Sequence, residues 1–125
     1  MVELKHKDIT KKIIGASFAV HGFLGNGFQE VIYQRALAWE FGQRDLEYAR
    51  EIEQNIFYKE LPEPIGTRRA DFVVEQKVLV EIKAVIELQD VHLAQALNYL
   101  KAYQLDVGLL INFGSKSMTF KRLVL

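Results

Sequence analysis

Cysteine is absent from this chain of 125 residues, which excludes a disulfide framework, a thiolate zinc site and catalysis by a thiol. Proline and glycine are scarce, at two and eight residues, so collagen-like repeats and flexible low-complexity sequence are excluded as well. No sign of charge dominates: Lys plus Arg and Asp plus Glu both total 16. Without a global basic field, any nucleic-acid partner must be held by a local patch. Long hydrophobic runs are missing too, since no stretch approaches the roughly 18 apolar residues of a membrane span. The opening "MVELKHKDITKK" lacks the apolar core and small-residue cleavage site of an export signal. No membrane association and a cytoplasmic location are therefore expected. What the chain does have is 50% apolar residues, enough for one real core but too little length for a second, so a single domain over 1–125 is expected.

Ile9, Ile13, Ile14, Ala16, Phe18 and Val20 recur at helical spacing, which predicts a first helix over about 8–22. "GFLGNG" breaks it, and Val31, Ile32, Ala36, Leu37 and Phe41 mark a second helix over about 28–44. The pattern then alternates from Tyr48 to Lys59, and "LPEPIG" closes that strand with both prolines. Two further strands lie in "RRADFVVEQKVLVEIK", followed by a helix over about 90–104 and strands at "VGLLINF" and "SMTFKRLVL". The expected order is ααβββαββ, with no repeat or linker to divide it.

The hairpin carries the chemistry. Side chains alternate along a strand, so Leu79, Glu81 and Lys83 share one face and Val78, Val80 and Ile82 the other, the first expected to be chemical and the second apolar. If the loop is Glu75, Gln76 and Lys77, Asp71 stands opposite Glu81, with α-carbons about 5.5 Å apart. A slip of one residue would put Phe72 there instead. Two carboxylates that close repel unless a cation lies between them, and a hard divalent ion with oxygen ligands suits the pair. With Lys83 beside it, such an ion fits attack by water on a phosphodiester. A solvated surface hairpin would carry the same charges with no ligand, and spacing does not decide between the two.

On the following helix His92, Gln95 and Tyr99 form one stripe that would overhang the polar face. Glu30 and Tyr33, three apart on the second helix, follow Gly27. Arg68 and Arg69 stand ready to contact a phosphate backbone, with Lys116, Lys121 and Arg122 extending a local patch, unless these are only solvated charges. His21 reads as a capping or core histidine.

"GFQEVIY" at 27–33 matches a Gly-x-x-Glu-x-x-Tyr signature, and "RAD", "VEIK" and "AQALNY" match an Asp, Glu-x-Lys, Gln-x-x-x-Tyr progression. With these four motifs in order, the chain resembles the GxxExxY family of the PD-(D/E)XK nuclease superfamily, from "VHGFLGNG" to "LLINFG". Ala70 precedes Asp71 where the superfamily name has proline, a position that carries no chemistry.

The resemblance implies an α/β, three-layer restriction-endonuclease-like fold with a mixed central sheet flanked by helices. It also implies a Mg2+-dependent nuclease, with Mn2+ as substitute, hydrolysing DNA or RNA through a metal-activated water. Asp71, Glu81 and, from the helix, Glu30 would ligate the metal. Lys83 would orient or activate the water, and Gln95 and Tyr99 would hold Lys83 or the phosphate. Arg68, Arg69 and His92 are the expected nucleic-acid contacts. Two sites for two strands would call for a homodimer or a partner protein. The rival readings are a non-catalytic nucleic-acid-binding module, or a protein-interaction subunit, that keeps the fold.

Overall fold

A computed structural model describes residues 4–125; the first three residues of the N-terminal stretch lie outside the described residues. The elements follow in the order α1 (Lys7–Leu24), α2 (Glu30–Gln43), β1 (Tyr48–Ile56), β2 (Gly66–Val74), β3 (Val78–Lys83), α3 (Asp90–Ala102), β4 (Val107–Asn112) and β5 (Thr119–Val124). This is the expected ααβββαββ order, and the boundaries shift by no more than a few residues. None of the described helices is long and apolar enough to cross a membrane.

The five strands form one sheet in the spatial order β1-β2-β3-β4-β5. Only β3 and β4 run parallel, because α3 joins them as a crossover; every other neighbouring pair is antiparallel. The α/β fold with a mixed sheet between helical layers is thus the one anticipated. In the central hairpin Phe72 faces Val80, Val73 faces Leu79 and Val74 faces Val78. That is the register that sets Asp71 opposite Glu81 and leaves Glu75, Gln76 and Lys77 as the loop.

Burial corrects the expectation of one apolar and one chemical sheet face. Val78, Val80 and Ile82 pack with Ile13, Val20, Leu37 and Phe41 of α1 and α2. Leu79, on the opposite face, packs with Ala96 and Leu100 of α3 and with Leu110. A strand covered on both sides must be apolar on both sides, so the polar chemistry is confined to the end of β3, at Glu81 and Lys83.

At that end the sheet forks. β2 pairs with β3 only over Phe72–Val74, yet β1 and β2 continue together to the pair Ile56 and Gly66, while β3 and β4 stay paired to Lys83 and Asn112. Opposite Asp71 on β1, Glu51 adopts a left-handed φ of 55° and the regular pairing skips it. The β1–β2 ribbon therefore twists away as a separate prong. Ala70 then lies among the residues facing α3, although Phe72 packs on the α1 and α2 side. Tyr103 latches the root of the prong: its hydroxyl accepts from the Ala70 N–H at 3.1 Å and donates to the Ile52 carbonyl.

Candidate active site

Asp71 and Glu81 sit in the crotch of the fork, where the strand ladder has stopped. Each carboxylate takes over a backbone hydrogen bond that the missing ladder would have supplied. The Ile82 N–H donates to Asp71 Oδ2 at 2.7 Å, and the Asp71 N–H donates to Glu81 Oε1 at 3.2 Å. The exchange satisfies two N–H groups that divergence of the strands would have left unpaired, and it fixes both side chains without a basic partner. Asp71 also reaches back to α2, where the buried Gln34 donates from Nε2 to its Oδ1 at 3.1 Å.

Both groups resist ionisation. Burial is the first cause for Asp71, whose pKa rises from an ordinary 3.8 to about 6; the Ile82 N–H and Lys83 pull it down while the charge of Glu30 pushes it up. Burial again dominates for Glu81, raised from 4.5 to about 8, with the charge of Asp71 next. The two titrate as a pair, so the direction belongs to the pair before either residue. Lys83 is half-buried and its charge favours both carboxylates, but it forms no ion pair among the described residues. One ammonium facing two desolvated carboxylates leaves the site short of positive charge.

The segment beyond Lys83 is held by a residue that the sequence reading did not single out. Asn112 is fully buried at the end of β4, beside Lys83 in the parallel ladder. Its Oδ1 accepts from the N–H groups of Val85 and Gly114, both at 3.0 Å, and its Nδ2 donates to the Val85 carbonyl at 2.9 Å. Gly114 is required here, since a Cβ would lie 2.3 Å from the Val85 nitrogen. Asn112→Ala is expected to leave several buried backbone groups unpaired and to cost about 2–4 kcal/mol, measured by urea unfolding. An unchanged midpoint would show that the loop finds other partners.

The Gly-x-x-Glu-x-x-Tyr segment has a structural logic of its own. Gly27 holds φ at 107°, a value that side chains avoid. The buried Tyr33 hydroxyl donates to the Gly25 carbonyl at 2.6 Å and accepts from the Phe28 N–H at 3.2 Å, while its ring stacks on Phe113 at 4.8 Å. Gly27 and Tyr33 thus shape the approach to α2, and Glu30 opens that helix. Glu30 is exposed, and its charge is felt by both Asp71 and Glu81. No group of three or more carboxylate or imidazole ligands is gathered among the described residues, so the expected triad of Glu30, Asp71 and Glu81 is not assembled. Glu30 is exposed in the first turn of α2, and Gln34, one turn on along the same face, is the side chain that bonds Asp71.

Of the expected stripe on α3, Tyr99 is half-buried and Gln95 is exposed. The helix turns Ala96 and Leu100 onto the sheet, with Leu93, Leu97, Tyr99 and Tyr103 partly covered around them. Leu100 is fully buried there and Leu97 partly so, because burying leucine is what holds the helix on the sheet. Gln95, one turn before Tyr99 on the same face, is exposed and makes no side-chain hydrogen bond among the described residues. The Tyr99 hydroxyl has its pKa pushed up by burial and then by the charge of Glu81, which places it in the field of the pair. His92 Nδ1 accepts the Gln89 N–H at 2.9 Å, a helix-start contact rather than a free ring aimed at the fork.

Three of the arginines are engaged within the chain. Arg68 donates to the Asn98 carbonyl at 2.9 Å and lies over the Tyr99 ring at 5.2 Å, on the α3 flank of the fork. Arg69 pairs with Glu53 at 3.1 Å, both exposed. Arg122 donates to Thr10 Oγ1 at 3.1 Å. His21 lies 2.9 Å from the Ser115 carbonyl through Nε2 and stacks on Phe113, which fits the core reading.

The family model for the PD-(D/E)XK nuclease superfamily matches residues 7–123. Among solved structures, the crystal structure of SSO0001 superposes with a TM-score of 0.56 at 18% identity, covering 96% of this chain. The chain spans 59% of that protein's length, and at such low identity the likeness concerns the fold alone. No curated protein matches the sequence.

Proposed function

The chain belongs to the PD-(D/E)XK nuclease superfamily, and from that premise we propose that it is a Mg2+-dependent nuclease that hydrolyses DNA or RNA phosphodiester bonds at the fork between β2 and β3. The observation that carries this reading is the pair of half-buried Asp71 and buried Glu81, set opposite each other and exchanging backbone hydrogen bonds instead of ion pairs, with Lys83 alongside. A purely structural carboxylate pair would be expected to recruit an arginine or lysine in contact with it. The Gly27, Glu30 and Tyr33 pattern supports placing the chain in the GxxExxY branch.

The donor set fits Mg2+ or Mn2+. It consists of hard carboxylate oxygens without sulfur or imidazole, and of the Glu81 carboxylate only Oε1 accepts a hydrogen bond. Asp71 and Glu81 would hold the ion, which suits a metal that uses one or two carboxylates and leaves its other positions to water and phosphate. When bound, the ion would supply Lewis acidity and lower the pKa of a water at neutral pH.

The chain's own groups would do the rest. Lys83, the unpaired ammonium at the crotch, would orient the attacking water and neutralise charge that develops on the phosphoryl oxygens. Gln34 fixes the Asp71 carboxylate, and the Asn112 staple sets where the chain goes after Lys83. Tyr99, backed by the stacked Arg68, would form the flank along which the phosphate backbone lies. Arg68 spends one donor on Asn98 and its Nε is buried, so what it would offer a phosphate is the remaining terminal N–H groups of the guanidinium. Glu30, at the solvent side, would act through its field or through an ordered water. Placing Gln95 in the chemistry has no support from its position.

The test is cleavage of labelled single- and double-stranded DNA and RNA. Mg2+ and Mn2+ are expected to support turnover, while Ca2+ supports binding with at least about a hundredfold slower cleavage, because it tolerates loose, higher coordination. Binding without cleavage in any of the three ions would assign the chain to the non-catalytic alternative.

A further inference from the structure

On the far side of α1 and α2 from the sheet lies an apolar hollow of about 470 Å3, walled by Ala19, Val20, Phe23, Leu24, Ala36 and Trp39. Phe23 is 90% exposed and Trp39 63%, two aromatic rings at one hollow with no covering element. The inner faces of the same helices are already used, since Ile13, Ala16, Leu37 and Phe41 are buried on the sheet. Isolated exposed apolar residues need no explanation, but two rings that flank a concave apolar floor form a patch.

We propose that this face pairs with the same face of a second copy of the chain across a two-fold axis, Phe23 of each copy entering the hollow of the other. Three observations favour a second copy over a different partner. The face carries both a projecting ring and a hollow large enough to take one, so it is complementary to itself, which is what an isologous contact demands. It is electrically quiet: Glu40 is the charged residue in the lining, and its carboxylate is already paired with Arg44. Like faces can then approach without like-charge repulsion, whereas a nucleic-acid or charged peptide partner would find nothing to pair with. The area is also of the right order. Phe23 and Trp39 alone expose on the order of 300 Å2 per copy, and with the helix surface around them the pair would reach the roughly 1,000 Å2 that a specific interface needs.

The arrangement leaves the fork open. Gln34 turns to the sheet side of α2, toward Asp71, whereas Ala36 and Trp39 lie on the hollow. Pairing would carry two forks on one body without covering either. The inference stands independently of the nuclease reading, because it concerns a different surface and is tested without substrate.

Trp39 is the one tryptophan of the chain, so its emission reports this face alone. Sedimentation from about 1 to 200 μM is expected to show a monomer–dimer equilibrium, with Trp39 emission moving to the blue and acrylamide quenching falling over the same range. Phe23→Glu, at an exposed position, should keep the circular dichroism and melting midpoint of the dilute protein while weakening association at least about a hundredfold. Ala19→Arg, which fills the hollow from an exposed position, should do the same by a different route. A monomer at every concentration overturns the proposal, and so does a dimer whose Trp39 emission does not move or that survives both substitutions.

Discussion

Glu81→Gln and Asp71→Asn are each expected to lower phosphodiester cleavage by at least about a thousandfold while leaving the chain folded. Glu81→Gln is the cleaner of the two. An amide keeps a carbonyl oxygen to accept the Asp71 N–H, and its new NH2 replaces an oxygen that accepts nothing within the chain. Asp71→Asn meets two donors, Ile82 N–H and Gln34 Nε2. An asparagine can satisfy both only if the Gln34 amide turns over, which it is free to do because its oxygen has no other assigned partner. Lys83→Gln should cost about 100- to 1,000-fold, the loss of one preorganised donor at a developing negative charge. Gln95→Ala should stay within about threefold of wild type, since Gln95 is exposed and bonded to nothing at the site. Rate constants at saturating substrate check all four. Normal cleavage by Glu81→Gln would remove the fork as the active site.

The contrast between Gln95 and Gln34 shows what could be read from the sequence and what could not. The helices and strands were legible because their apolar spacing is regular, and the hairpin register was legible because only one pairing brings Asp71 against Glu81. Gln95 was placed by its spacing to Tyr99 and its motif match, and neither says how far out it stands: Ala96 and Leu100 take the sheet and Gln95 is exposed. Gln34 had a usable signal: it lies four residues after Glu30, on the same helix face. Asn112 had one too, as the single polar side chain in the run "VGLLINF". The run Val78, Leu79, Val80 likewise carried the mark of a strand buried on both faces, against the alternation assumed for it. The fork itself had no such mark. It depends on Glu51 adopting a left-handed conformation, which nothing in the residue type requires, and on Tyr103 reaching across two strands.

The same desolvated pair makes the stability of the metal-free protein fall as pH rises. A carboxyl group whose pKa is higher folded than unfolded binds more protons in the native state between the two values, so stability declines with pH across that interval. For Asp71 the interval runs from 3.8 to about 6, and for Glu81 from 4.5 to about 8. The native site is therefore comfortable near pH 4, where both groups are protonated, and progressively less so up to about pH 8. The two shifts together correspond to a loss on the order of 3 kcal/mol between pH 5 and pH 8 after allowing for their mutual coupling. In chelator, Glu81→Gln should remove the larger part of that slope and melt about 5–10 °C above wild type at pH 8, while differing little at pH 5. The two proteins differ in this one side chain, so the difference between the two curves isolates the site. Added Mg2+ should act in the opposite sense to protons. It binds ionised carboxylates, so it should raise the wild-type midpoint by several degrees at pH 8, by less at pH 5, and hardly at all in Glu81→Gln. Melts over pH 5–8 with chelator or millimolar Mg2+ separate this from a structural role. If the pair held the fold together, Glu81→Gln would melt below wild type at every pH and would still gain from Mg2+ as wild type does.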